Sequence, residues 1–345
     1  MEFDDVIIEG YEQVVRAHDP ASGLVAFVAV HSTVLGPALG GARFYPFVDE
    51  DAALTDVLRL ARGMTYKSAV AGNALGGGKS VAIVDPDRKT PELLHAFGRL
   101  VDHFEGRYVT APDVGTNTDD MQVVHEVTPY VGGLPVEHGG SGDPSPLTAV
   151  GVHQAMRATA LHRFGSDDLA GRSVVVVGVG KVGHALVEDL IGAGAHVTVA
   201  DVDGEALARL EQLFGVKIAA PDVAHTITCD VYAPCALGGV LSPSTIPELG
   251  CQVVVGAANN QLATPECARL LSQRGILYVP DYLANAGGVI NIAEETGGYD
   301  PHRARRRVET IYDRTLDVLR TADDEGLDPV AAAEAIAERR LAAAR

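Results

Sequence analysis

The sequence predicts an α/β chain of two domains, the second built on a doubly wound, mostly parallel sheet. Three observations lead there. The chain has 345 residues, beyond the ~250–300 at which a single hydrophobic core stops growing. A run of breakers and small residues, Gly139-Gly140-Ser141-Gly142-Asp143-Pro144-Ser145-Pro146, suits a linker or hinge. Beyond it, short apolar strand cores at 174–177, 197–200, 217–220, 231–233, 253–255 and 277–279 mostly alternate with helical stretches.

Before that break, residues 24–30 read as a buried strand and 36–41 as a Gly-rich turn. Asp49, Glu50 and Asp51 stand where a helix N-terminus favours negative charge. Leu54, Val57, Leu58, Ala61 and Met64 then recur at helical spacing, with Lys67 one turn further on. Gly76-Gly77-Gly78-Lys79 reads as a glycine loop carrying a lysine, leading into a strand over 81–84. Tyr108-Val109-Thr110 runs into Ala111-Pro112-Asp113, a strand end of the kind that holds active-site residues in α/β proteins. The tail from about Arg303 is charged and helical and ends in an Ala-rich segment.

Composition excludes several classes. A net charge of −19 without a basic block argues against nucleic acid. No stretch reaches the ~20 apolar residues of a membrane helix, and the acidic start is unlike a signal peptide, so the expected location is cytoplasmic. Cys229, Cys235, Cys251 and Cys267 lack C-x-x-C spacing, which argues against a zinc site or disulfide framework; no metal is expected. Cys235 follows an apolar run and reads as a buried thiol. Only five of the 27 basic residues are lysines, yet Lys67 and Lys79 fall close together. Lysine, unlike arginine, can lose its proton when desolvated.

Residues 173–183 give strand, tight turn and helix with a G-x-G-x-x-G pattern. Gly178 permits the turn, Gly180 lets a pyrophosphate approach the backbone, and Gly183 allows close helix–strand packing. The helix N-terminus supplies N–H groups for phosphate. Asp201 ends the next strand, where a carboxylate accepts from both ribose hydroxyls and repels a 2′-phosphate. NAD is therefore the expected cofactor, in preference to NADP.

Singly, Lys67, Lys79 and Asp113 have bland readings: a snorkelling lysine, a solvated lysine, a turn aspartate. Beside a dinucleotide domain they form a set. The stretches 35–41, Gly63-Met64-Thr65-Tyr66-Lys67, Leu75-Gly76-Gly77-Gly78-Lys79, Ala111-Pro112-Asp113-Val114-Gly115-Thr116, 232–238, Gly256-Ala257-Ala258-Asn259-Asn260-Gln261 and Asn285-Ala286-Gly287-Gly288-Val289-Ile290 follow one another in the order of a known family. The chain resembles the glutamate/leucine/phenylalanine/valine dehydrogenases, closest to the leucine/valine branch. Asn73 departs from the pattern, where an aliphatic residue is expected.

The resemblance implies an N-terminal α/β substrate domain over 1–143, also the expected site of oligomerisation. It implies a Rossmann-like doubly wound NAD-binding domain over 144–325, a cleft between the two, and a helical tail over 326–345. It implies oxidative deamination of an L-amino acid to its 2-oxo acid and ammonia by a homo-oligomer. Lys79 is then the general base and Asp113 the holder of the amino group. Lys67 and Asn260 pair with the carboxylate, and Gly40 belongs to the same site. Thr148, Asn259 and Asn285 line the nicotinamide pocket. Leu39, Ala111, Val289 and Ile292 line an apolar side-chain pocket, which favours valine, leucine and isoleucine. A base acting near neutrality needs burial and a neighbouring cation, for which Lys67 is the candidate. A phenylalanine dehydrogenase is the alternative within the class. A non-catalytic NAD-binding sensor would not need a titratable lysine. A 2-hydroxy-acid dehydrogenase would need a His–carboxylate pair that no motif here supplies.

Overall fold

The computed structural model describes residues 1–295 and 298–345, in two compact units. The first comprises Met1–Asp143, Asn291–Pro301 and Ala337–Arg345; the second comprises Pro144–Ile290 and His302–Ile336.

The first unit contains β1 (Glu2–Asp5), β2 (Gln13–Asp19), β3 (Leu24–Ser32), β4 (Ala38–Tyr45), α1 (Glu50–Val70), β5 (Gly76–Ile83), α2 (Pro91–Asp102), β6 (Tyr108–Pro112) and α3 (Thr118–His125). Its sheet runs β1-β2-β3-β5-β4-β6, with antiparallel pairs from β1 to β5 and parallel pairs among β5, β4 and β6. Both faces are covered. Ala26, Val28 and Val30 join Phe44, Phe97 and Tyr108 on one side, while Phe27 and Ala29 join Val57 and Ala61 of α1 on the other. A strand buried on both faces reads as an unbroken apolar run, as 24–30 does. Asp49 caps α1 by accepting from the Ala52 N–H.

Two stretches read from sequence as glycine loops are strands. Residues 38–45 form β4, and Gly76-Gly77-Gly78-Lys79 begins β5, between β3 and β4. The glycines do leave room beside the backbone, but the protein itself fills it. A Cβ on Gly76 would lie 2.0 Å from the Ser32 carbonyl oxygen, on Gly77 2.1 Å from the Thr65 nitrogen, and on Gly78 2.7 Å from the Tyr108 ring.

The second unit is built from α4 (Ser145–Phe164), β7 (Ser173–Val177), α5 (Lys181–Gly192), β8 (His196–Ala200), α6 (Gly204–Phe214), β9 (Lys217–Ile218), β10 (Cys229–Pro234), β11 (Cys251–Val254), α7 (Glu266–Gln273), β12 (Leu277–Tyr278), α8 (Asp281–Ala284), the start of α9 (Gly287–Ala293), nearly all of α10 (Pro301–Glu309), α11 (Ile311–Glu325) and the first half of α12 (Pro329–Ala344). All six strands pair in parallel, in the order β9-β8-β7-β10-β11-β12. The order reverses between β7 and β10, so the strand ends there form the crevice where such sheets take ligands. The six strands match the six apolar runs of the sequence.

The Ala-rich end is not a detached tail. From Ala337 it belongs to the first unit, where Ala337 and Leu341 pack with Ala69, Leu35 and Tyr66. Arg340 donates to the carbonyls of Ala69 (2.8 Å) and Asn73 (2.7 Å) at the end of α1. The segment 291–301 also belongs there, and Glu295 accepts from the N–H groups of Gly133 and Ser141.

Candidate active site

Lys79 and Asp113 meet at the carboxyl end of β6. Lys79 Nζ lies 2.7 Å from Asp113 Oδ2, with side chains 7 % and 24 % exposed. Gly41 makes the meeting possible: a Cβ there would lie 2.7 Å from Asp113 Cβ and 3.3 Å from Lys79 Nζ. Gly40, assigned to the substrate site from sequence, is pressed by the opposite neighbour, its absent Cβ falling 1.8 Å from the Gly78 carbonyl oxygen. Thr116 pins Asp113, accepting from its N–H (2.9 Å) and donating to the Ala42 carbonyl (2.8 Å).

The electrostatics suit a base. Burial, the dominant influence, pushes Lys79 below the ordinary lysine range although the Asp113 carboxylate opposes it. Burial pulls Asp113 upward, but Lys79, Arg43 and the Val114 N–H overcome it and hold the carboxyl below its usual range. The cation that helps to lower Lys79 is Arg43, whereas the sequence reading looked to Lys67. Lys67 lies in the last turn of α1, half-buried. Leu39 and Ala111 are buried on β4 and β6 in the same sheet. Ile292, also in the first unit, covers Gly132, where a Cβ would meet it at 2.6 Å. Val289 and Asn260 belong to the second unit.

In that unit the glycine turn does what its pattern requires. Gly178 has φ +99° and packs on Ala236, and a Cβ on Gly183 would strike the Gly178 carbonyl oxygen at 1.9 Å. Nothing lies within 4 Å of the Cβ position of Gly180, which leads α5 with no side-chain cap. That open backbone at a helix N-terminus fits a pyrophosphate. Asp201, at the end of β8, accepts from the N–H groups of Val179 (2.6 Å) and Asp203 (3.0 Å). Burial raises it, but these bonds win and keep it a carboxylate. Asn285 Nδ2 donates to Asn259 Oδ1 (2.7 Å) and to the Ala257 carbonyl (3.0 Å). Gly288 lies against Thr148, whose hydroxyl bonds the Pro144 carbonyl. Asn260 stands at φ +53° in the left-handed region, where asparagine is tolerated.

Residues 9–130 match the Glu/Leu/Phe/Val dehydrogenase dimerisation domain, and 205–345 match the Glutamate/Leucine/Phenylalanine/Valine dehydrogenase domain. A valine dehydrogenase of Streptomyces albus is 52% identical over 97% of this chain and 93% of its own length. The chain belongs to the glutamate/leucine/phenylalanine/valine dehydrogenase family. A leucine dehydrogenase of Bacillus cereus is 46% identical over 96% of this chain and 91% of its own. The crystal structure of L-tryptophan dehydrogenase from Nostoc punctiforme superposes with a TM-score of 0.88 at 40% identity, covering 97% of each chain. Residues 173–235 also match an NADP oxidoreductase, coenzyme F420-dependent family, which marks a nucleotide-binding oxidoreductase domain. The protein is an amino-acid dehydrogenase.

Within this dehydrogenase three supporting residues escaped the sequence reading. Arg43 Nε donates to Asp113 Oδ2 (3.1 Å) and its Nη1 to Asp56 Oδ2 (2.9 Å). Its two-residue offset from Gly41 on one strand face was the available signal. Gln261, fully buried, donates to the carbonyls of Gly256 and Ala258, both at 3.0 Å, and so fixes the loop that carries Asn259 and Asn260. Tyr108 donates to the Gly40 carbonyl at 2.6 Å.

Proposed function

We propose that this dehydrogenase oxidatively deaminates valine, leucine and isoleucine, with NAD as hydride acceptor. The observation that carries the mechanism is the buried Lys79–Asp113 pair over Gly41. Bound NAD supplies the acceptor for the Cα hydride. Asp113, held ionised, anchors the substrate amino group, while Lys67 and Asn260 meet the carboxylate. With Cα oxidised to an iminium, neutral Lys79 takes a proton from the attacking water. The carbinolamine then collapses to 2-oxo acid and ammonia, with Asp113 moving the proton to the departing nitrogen. Gly178, Gly180 and Gly183 cradle the dinucleotide, Asp201 takes the adenosine ribose, and Thr148, Asn259 and Asn285 hold the nicotinamide.

The side-chain preference rests on Leu39, Ala111, Val289 and Ile292, all apolar. A glutamate γ-carboxylate placed among them would be unpaired at a cost of several kcal/mol. A phenyl ring would displace Leu39 or Val289, and overpacking costs about 1–3 kcal/mol. The 52% identity with a valine dehydrogenase, against 40% with the tryptophan enzyme, supports the aliphatic reading. Domains over 1–143 and 144–325, for substrate and NAD respectively, a cytoplasmic location and homo-oligomeric assembly complete the proposal. Light scattering on the eluting protein tests the assembly.

The mechanism is tested with L-valine by following reduced-cofactor absorbance. Lys79→Ala should lose kcat by about 10²-fold or more, the usual contribution of a general base, with NAD binding intact. Lys67→Ala should mainly raise KM. If Lys79→Ala kept more than about a tenth of wild-type kcat, that general-base contribution would be absent and the assignment wrong.

A further inference from the structure

The charges beside Lys79 form a chain that continues past Asp113. Asp113 Oδ2 takes both Lys79 Nζ (2.7 Å) and Arg43 Nε (3.1 Å). Arg43 in turn is held by Asp56 (2.9 Å), whose other oxygen takes Arg59 Nη2 (2.8 Å). These groups reach Lys79 from β4, from the end of β6 and from α1. The strand partner on β3 is Ala29, without charge, and Lys67 lies in the last turn of α1. Tyr108 on β6 is titratable, but burial pushes its phenol far up and it stays neutral.

The count of charge decides what Arg43 does. When Lys79 is neutral, Asp113 and Asp56 are balanced by Arg43 and Arg59. Without Arg43 that same state would leave a buried carboxylate uncompensated, and the balanced state would be the one with Lys79 protonated. Arginine keeps its charge at every working pH, so it can stand by Asp113 when the lysine charge is gone. A lysine in that place would compensate as well, though without the two-nitrogen fork that spans two carboxylates.

We propose that Arg43 is a positioning residue for the base, holding Asp113 as a carboxylate while Lys79 is neutral. The inference rests on the reading of Lys79 as the base. It has a signed consequence. Arg43 disfavours and Asp56 favours the proton on Lys79, so removing each should move the acid limb of the pH–rate profile in opposite directions. A residue with a purely structural role would not split the signs.

The test is the pH dependence of kcat/KM for L-valine at saturating NAD. For Arg43→Gln the acid limb should rise by about one pH unit or more, as expected for a charge within a few ångströms. Arg43→Lys should return it towards the wild-type position, and Asp56→Asn should move it down. Arg43 lines an open pocket of about 590 Å³ with Tyr45, Phe47, Asp56 and Arg59, so a shorter side chain leaves space open to solvent and not a sealed cavity. If Arg43→Gln nonetheless fails to fold, Asp56→Asn decides: a downward limb supports the inference, and an unmoved or upward limb overturns it. An unmoved limb in a folded Arg43→Gln also overturns it. Failure of the underlying reading has a different signature, namely a Lys79→Ala enzyme that keeps both its turnover and its acid limb.

Discussion

Asn73 is 1 % exposed, and neither side-chain polar atom makes a hydrogen bond. Its backbone is well held, the N–H by Ser68 and the carbonyl by Arg340. The fold therefore needs the position but not the amide. An unsatisfied buried polar group costs about 1–3 kcal/mol, so Asn73→Leu should raise the denaturant midpoint by a corresponding amount; a lower midpoint would show that the amide has a partner. Asp201, ionised and placed at the end of β8, should select against a 2′-phosphate. Asp201→Ser should weaken NAD binding and narrow the NAD/NADP ratio of kcat/KM, and a wild type indifferent between the two would contradict the assignment. The pairing of Lys79 with Asp113 was legible because their types and setting are chemically distinctive. Arg43 was not, because its partners lie 13 and 70 residues away along the chain, and an arginine beside exposed Tyr45 reads as ordinary surface.

At the scale of elements, legibility followed the type of burial. The inner strands β7, β10 and β11 announced themselves as short apolar runs, since a parallel sheet covered on both faces leaves little polar alternation, while β9 at the edge is exposed. The glycine start of β5 gave no such sign, although its end was read as a strand over 81–84: three glycines lower β-propensity, and what presses on them comes from α1, β3 and Tyr108, which no local pattern records. The two glycine clusters should therefore answer substitution differently. Gly77→Ala would drive a Cβ to 2.1 Å from the Thr65 backbone, with Lys67 two residues on in α1 and Lys79 two residues on in β5. It should lose about 1–3 kcal/mol of stability together with turnover. Gly180→Ala meets nothing within 4 Å. It should melt like wild type yet bind NAD more weakly in a calorimetric titration. Equal stability of both variants would mean that the close approach at Gly77 is not enforced.

For the whole molecule, the alternation of strands and helices and the break at 139–146 made the two-part organisation legible. The return of the chain to its first unit was not, because an Ala-rich helix carries no mark of its partner. That return has a consequence for the site. Arg340 closes the carbonyl end of α1, where Lys67 sits, and Tyr66 bonds Glu338 beside it. Removing residues 337–345 should lower the melting temperature and raise KM for L-valine more than it lowers kcat; unchanged KM would separate the tail from the substrate site. The central claim, an amino-acid dehydrogenase tuned to branched aliphatic side chains, is tested most directly by kcat/KM over a panel of L-amino acids with NAD. Valine, leucine and isoleucine should fall within about tenfold to a hundredfold of one another, as methylene-sized discrimination allows, with phenylalanine below all three and glutamate inert. A wild type that preferred phenylalanine or turned over glutamate would contradict it.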